Sequence, residues 1–209
     1  MGYRKYFHQI IRKHFPDSSR IIIEEINSFY ETIIHDIKTI RYSGNPLDRR
    51  LAIAAYFLSL IHILEKKVEP YDSIRAVCLE IVMEYIRPKN HFQQFLKRLP
   101  TSFIQSEISR IFLRYMDKRI RTRGHPDGFK ARIITDKELT FGLGYGIDIL
   151  ECGICKLFAR FNKQKYVPIL CEVDHHTSEL SGLELIRTGT IASGAGKCDF
   201  RFKKKIKNS

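Results

Sequence analysis

The sequence predicts an α+β protein in which a helical N-terminal half packs with a C-terminal antiparallel sheet as a single compact unit. Apolar residues recur at spacings of three and four through the first 125 residues, which is the period of helices with one buried face. At Gly124–Gly128 this pattern gives way to short alternating segments separated by glycines, as in strands and hairpins. We therefore divide the chain into a helical region, residues 1–125, and an α+β region, residues 126–209.

The helical region contains several predicted helices. Residues 3–14 form a short basic helix, and a longer one follows whose isoleucines from Ile22 to Ile40 mark a buried face. The next helix, 47–67, is apolar nearly all round and is predicted to be central. A fourth runs from Pro70 to Ile86, with Cys78 as a small buried hydrophobe. Beyond it the sequence predicts a short basic piece, His91–Arg98, and a helix capped at Pro100–Ser102 that continues to Met116.

The α+β region is predicted to contain one helix, Gly153–Phe161, and a hairpin turn at Ser193–Gly196. We interpret the apolar run Tyr166–Val173 as a strand that delivers side chains to the edge of a pocket. The remaining strand-like segments are Phe129–Thr135, Gly144–Glu151, Leu183–Ile191 and Asp199–Phe202.

Composition limits the class of protein. The chain has 209 residues, is 44% hydrophobic and carries a formal net charge of +13. No signal peptide is visible, and the most apolar stretch, 51–64, is too short to span a bilayer. Five cysteines without an export signal predict reduced thiols and a cytoplasmic location. The basic charge raises nucleic acid as a partner, but no recognized binding motif accompanies it, so nucleic acid is disfavoured.

Four of the five cysteines lie in the last third of the chain. Cys152 and Cys155 have the spacing of a zinc-ligand pair, whereas Cys171 and Cys198 are isolated. A structural zinc site usually has two close pairs. Zinc is therefore an alternative that we do not favour, and the sequence identifies no other cofactor.

Cys171 and Asp174 form a second candidate pattern. A thiol becomes nucleophilic when positive charge lowers its pKa, and Arg187, Lys197 and Arg201 are the candidate sources of that charge. Asp174 or a histidine would then handle protons.

Several segments of this last third resemble the L-2-amino-thiazoline-4-carboxylic acid hydrolase family. The matching features are Cys152 at a helix start, Cys171-x-x-Asp174, Arg187-Thr-x-Thr190, and Ala192-x-Gly194 leading into Cys198-Asp-Phe-Arg-Phe202. The match covers residues 147–203. Gly153 stands where the family pattern predicts proline, and Cys155 is an additional cysteine.

The resemblance implies hydrolytic opening of a thiazoline ring to give N-carbamoyl-cysteine. Cys171 or an activated water would attack the carbon between nitrogen and sulfur. Asp174 would hold the amidine nitrogen or take a proton, His175 would protonate the departing sulfur, and Arg187 would bind the substrate carboxylate. The implied catalytic residues are Cys171, Asp174 and His175, and the implied substrate-binding residues are Arg187, Thr190, Cys198, Asp199 and Arg201.

An alternative is a small-molecule-binding or sensor domain of the 4-vinyl reductase type, which would use the same pocket without turnover. In both cases the predicted partner is a small molecule, and no membrane partner is predicted. No sequence feature predicts an oligomeric state.

Overall fold

The computed structural model describes residues 2–88 and 106–205. Within them the chain forms seven α-helices and one four-stranded antiparallel sheet, which confirms the predicted α+β class. The helices are α1 (Arg4–His14), α2 (Ser19–Arg41), α3 (Leu51–Lys66), α4 (Tyr71–Ile86), α5 (Glu107–Thr122), α6 (Gly153–Arg160) and α7 (Val167–Leu180). The strands are β1 (Lys130–Ile134), β2 (Gly146–Glu151), β3 (Leu183–Ile186) and β4 (Cys198–Lys204).

The core of the helical region is built around α3. Twelve of its residues are buried, including Tyr56 and Leu58, because neighbouring helices cover it on several sides. The isoleucines of α2 that face it, among them Ile26 and Ile33, are fully buried as their spacing predicts. Cys78 on α4 is also fully buried. No helix in the described ranges is long and apolar enough to cross a lipid bilayer.

The sheet has the strand order β1-β2-β4-β3, and every neighbouring pair is antiparallel. Side chains alternate along β4, so Cys198, Phe200 and Phe202 are buried on one face, which we call the inner face. Asp199 and Arg201 lie on the opposite, outer face. This alternation determines which predicted residues can contribute to one site.

Two segments differ from the sequence-based prediction. Residues Val167–Leu180 form helix α7, so the interpretation of Tyr166–Val173 as a strand was wrong. Pro168 in the first turn suits a helix start because its missing N–H has no partner there anyway. Strand β3 also ends at Ile186 rather than Ile191, and a single 3₁₀ turn, Ile191–Ser193, occupies the connection to β4.

Two predictions fall partly or wholly outside the described residues. The basic piece His91–Arg98 and the helix start at Pro100–Ser102 lie there, and the helix is described from Glu107. The Ser106 side chain caps it by accepting a hydrogen bond from the Ser109 backbone N–H at 3.2 Å.

The helical region is attached to the sheet region through buried polar contacts. The Asp48 carboxylate is fully buried and accepts a hydrogen bond from the Phe129 backbone N–H at 2.8 Å. The Asn45 side-chain amide donates to the Phe129 carbonyl at 2.9 Å. Gly128 packs so closely that a Cβ there would lie 2.4 Å from an Asp48 oxygen. Apolar residues of both regions belong to one core, and the division at residue 125 stays a prediction.

Candidate functional site

Four free cysteines lie around the junction of α6, α7 and the inner face of β4. Cys152 directly precedes α6 and Cys155 lies in its first turn, while Cys171 is on α7 and Cys198 begins β4. The Cys198 sulfur accepts a hydrogen bond from the Ile191 backbone N–H at 3.2 Å. Among the residues that the structure describes, no three His, Cys, Asp or Glu side chains are arranged to hold a metal ion.

Cys152 has an environment that stabilises a thiolate. The Cys155 thiol lies beside its sulfur, and the backbone N–H groups of Cys155 and Ile154 are close by at the start of α6. The Cys155 thiol donates a hydrogen bond to this sulfur, and the backbone N–H groups at the start of α6 add smaller contributions in the same direction. Together these groups outweigh burial and lower the pKa of Cys152 to about 7. About half of this side chain is therefore ionised at neutral pH.

The other thiols of the cluster are held protonated. Burial raises the pKa of Cys171 to about 12, and the nearby Asp174 carboxylate adds to the effect against the opposing charge of Arg187. The hydrogen bond with Cys152 raises the pKa of Cys155, and burial raises it further. Burial also raises the pKa of Cys198. The predicted positive charge near Cys171 is present in Arg187, but burial has the larger effect.

Asp174 and Arg187 form a pair in the interior of the site. An Arg187 Nη1 hydrogen is donated to Asp174 Oδ2 at 3.0 Å, and Nη2 donates to the Cys171 carbonyl oxygen at 3.1 Å. The guanidinium also lies over the Phe200 ring, 5.1 Å from its centroid. Burial raises the pKa of Asp174 despite the nearby charges of Arg50 and Arg187. Asp174 can therefore exchange a proton closer to neutral pH than an exposed aspartate.

The Arg187 contacts bear on its expected role. Its side chain is only 8% exposed, and two of its donors are already used by Asp174 and the Cys171 carbonyl. This geometry fits a residue that orients Asp174 better than one that offers a free two-pronged donor to a substrate carboxylate.

Two of the expected substrate-binding residues organise the loop between β3 and β4. Asp199 accepts hydrogen bonds from the backbone N–H groups of Thr188 and Gly189, each at 3.0 Å. Thr190 and Ser193 cap the 3₁₀ turn reciprocally. Asp199 lies on the outer face of the sheet, away from the thiols, so its structural contacts are those of a loop-forming residue.

Arg201 belongs to an ionic cluster on the outer face. Asp148 there is fully buried and receives hydrogen bonds from Arg201 at 2.8 Å, from Lys197 at 2.8 Å and from Arg132 at 2.9 Å. Burial alone would raise the pKa of Asp148, but these three cations lower it to about 2. The structure therefore separates Arg201 from the cysteine cluster and brings Cys198 into it.

The two adjacent histidines lie on helix α7. The expected acid, His175, is exposed, whereas His176 is partly buried. His175 follows Asp174 directly, and successive side chains of an α-helix are rotated by about 100° around its axis. The His175 ring therefore lies on a different side of α7 from the Asp174 carboxylate.

The sequence analysis missed Arg50. This residue ends a 3₁₀ turn before α3, and its side chain lines two adjacent cavities of about 350 and 90 Å³. Asp174 and Thr177 line both cavities as well. Arg50 and Asp174 are 124 positions apart in the chain, and no local motif connects them, so only the fold could reveal the pairing.

The fold and the site together define an α+β protein with an ionisable cysteine near a partly buried aspartate that is paired with a buried arginine. Comparison with family models identifies the group to which it belongs. The model of the L-2-amino-thiazoline-4-carboxylic acid hydrolase family matches residues 49–202. The chain is a member of that family, as the sequence resemblance predicted. Comparisons with curated proteins and with solved structures found no significant match.

Proposed function

We propose that this chain is a thiol-dependent hydrolase that opens a C–S or C–N bond of a cyclic amidine such as a 2-amino-thiazoline. The observation that supports it is the ionisable Cys152 at the start of α6, close to the partly buried Asp174. Family membership supplies the substrate class. In this proposal Cys152, and not Cys171 as the sequence analysis expected, is the nucleophile, because hydrogen bonds from Cys155 and from backbone N–H groups favour its thiolate, whereas burial raises the pKa of Cys171.

The proposed reaction has two displacements. The Cys152 thiolate attacks the ring carbon between nitrogen and sulfur, the C–S bond breaks, and protonated Asp174 gives its proton to the departing sulfur. An isothiourea on Cys152 results. Water then attacks the same carbon, Asp174 takes a proton from it, and the Cys152 thiolate leaves. The products are a free thiol and a carbamoyl group, so one water is consumed and no oxidant is needed.

The remaining residues support these steps. Arg187 holds Asp174 in place and balances its charge when it is ionised. His175, the acid that the resemblance implied, is exposed and has no part in these steps. Cys171 and Cys198 remain thiols and line the site. A reduced Cys152 is required, which agrees with the predicted cytoplasmic location.

The experiment incubates the purified full chain with 2-amino-thiazoline-4-carboxylate and follows both the appearance of free thiol and the mass of the product. We expect a carbamoylated thiol from the wild-type protein, no turnover from Cys152→Ser, and substantial turnover from the matched variant Cys171→Ser. Turnover by Cys152→Ser and none by Cys171→Ser would show that Cys171 is the nucleophile instead. Absence of product from the wild-type protein would contradict the hydrolase proposal.

The predicted alternative is a binding or sensor domain without turnover. The specific observation in its favour is the 350 Å³ cavity beside Asp174, whose size suits a small-molecule ligand. Under this alternative a ligand would raise the melting temperature without being converted, and Cys152→Ser would bind as tightly as the wild-type protein.

A further inference from the structure

The larger cavity is formed by helices from both parts of the chain. Phe57 of α3, Ile81 of α4 and Leu170 of α7 are among the side chains that line it, and Phe7 of α1 and Ile154 of α6 complete its walls. The cavity is partly open to solvent, has a volume of about 350 Å³ and is lined mostly by such apolar groups. An apolar cavity of this kind favours an apolar ligand group, since burying that group removes it from water.

The polar groups that line this cavity are the charged side chains of Arg50 and Asp174 and the hydroxyl groups of Thr177 and Tyr85. Asp174 is already paired with Arg187, whereas the exposed side chain of Arg50 makes no hydrogen bond or ion pair with any residue in 2–88 or 106–205. The side chains of Arg50, Arg187 and Asp174 together carry a formal charge of +1 when Asp174 is ionised. A ligand with one negative charge would balance it, and a guanidinium suits a carboxylate because it offers two parallel donors.

We propose that the ligand of this site is a carboxylic acid with an extended apolar substituent, whose carboxylate pairs with Arg50 and whose substituent fills the cavity. A substrate limited to a small thiazoline carboxylate would leave most of the apolar wall without contact. If one water-sized group takes about 30 Å³, the cavity has room for roughly ten such groups. The thiazoline ring of this ligand rests on the proposed function, whereas the binding of an apolar carboxylic acid does not.

The binding test uses straight-chain carboxylic acids from four to fourteen carbons, with primary alcohols of the same lengths as uncharged controls. Calorimetry on the purified full chain should show affinity rising about fourfold for each added methylene. The rise should flatten near ten carbons, when the cavity is full. Each acid should bind more tightly than its alcohol, because only the acid can pair with Arg50.

Two variants test the two parts of the site. Arg50→Met should weaken acid binding by about tenfold or more and remove the preference for acids over alcohols. Its matched control is Arg49→Met, which removes the same charge from the neighbouring residue, since Arg49 lines a different cavity. Val173→Phe places a larger side chain in the cavity wall and should shift the flattening to shorter acids without changing the affinity for the four-carbon acid.

Turnover then separates this proposal from the proposed function. The substrates are 2-amino-thiazoline-4-carboxylate and its derivative with a hexyl group on ring carbon 5, and we expect a higher kcat/KM for the hexyl compound. Hydrolysis of both at equal efficiency would overturn the ligand proposal and leave the hydrolase intact. Length-dependent acid binding without any product would keep the ligand proposal and contradict the hydrolase. Equal binding of acids and alcohols, or no dependence on length, would overturn the ligand proposal directly.

Discussion

Cys155 controls the ionisation of Cys152, and removing it should change the reactivity of the proposed nucleophile. With a pKa of about 7, half of Cys152 is thiolate at pH 7. With the ordinary cysteine pKa of about 8.5, about 3% would be thiolate, so the environment supplies at most about a fifteenfold gain. The Cys155 thiol makes the largest contribution to the lowered pKa, and the backbone N–H groups at the start of α6 make smaller ones. Cys155→Ala should therefore raise the pKa of Cys152 by about one unit and lower its thiolate fraction at pH 7 roughly fivefold.

The assay is alkylation by iodoacetamide between pH 5 and 10, with the rate at each cysteine read from peptide masses. In the wild-type protein the Cys152 rate should rise through a midpoint near pH 7. At that pH Cys171 should react far more slowly, because burial raises its pKa to about 12. In Cys155→Ala the midpoint should move upward while the limiting rate at high pH stays nearly unchanged.

Cys155→Ser is the matched control, because a hydroxyl can still donate a hydrogen bond to the thiolate. Its midpoint should lie closer to that of the wild-type protein than the alanine variant's midpoint does. An unchanged midpoint in Cys155→Ala would refute the assigned role of Cys155. Faster alkylation of Cys171 than of Cys152 at pH 7 would refute the assignment of the nucleophile.

Three further substitutions test the contacts that hold the site and the sheet. Asp148→Asn should lower the free energy of unfolding at pH 7 by about 2–4 kcal/mol in urea titrations, because three cations lose the carboxylate that they contact. The folded state lowers the pKa of Asp148, so the wild-type carboxylate becomes protonated as the pH falls from 4 towards 2. The difference in stability between the variant and the wild type should therefore shrink over that range. Gly128→Ala should lower the free energy of unfolding by about 1–3 kcal/mol in the same titration, because the new methyl group would displace the Asp48 carboxylate. A melting temperature equal to that of the wild-type protein would contradict this contact. Arg187→Met should lower the free energy of unfolding by about 2 kcal/mol at pH 7, because the Asp174 carboxylate loses its cation. The loss should be smaller at pH 5, where a larger fraction of Asp174 is protonated and uncharged. An equal loss of stability at both pH values would argue against this ion pair.

Most of the helical region could be predicted from sequence because burial there follows a simple period. The isoleucines of α2 repeat with the helical period and are buried accordingly. The apolar run at Tyr166–Val173 was harder, because a short apolar segment suits a buried strand as well as a buried helix. Pro168 was the available signal, since proline is common in the first turn of a helix and disfavoured within a sheet.

The candidate site was only partly predictable. The resemblance located Cys152, Asp174 and Cys198, which the fold brings to one region. The alternation along β4 could have placed Asp199 and Arg201 on the other face, because residues of a strand point alternately to its two sides. The thiolate preference of Cys152 depends on hydrogen bonds from the Cys155 thiol and from backbone N–H groups that outweigh the opposing effect of burial, and no motif encodes this balance.

Most of the cavity wall comes from the N-terminal helices, whereas the proposed reacting groups lie in the C-terminal region. Phe7, Phe57 and Ile81 belong to the N-terminal helices, whereas Cys152 and Asp174 belong to the C-terminal region. Substitutions in the N-terminal helices can therefore reshape what the cavity accepts and leave the thiol and its proton partner unchanged. The first helices are therefore where an engineer would begin to change the compound that this cavity accepts.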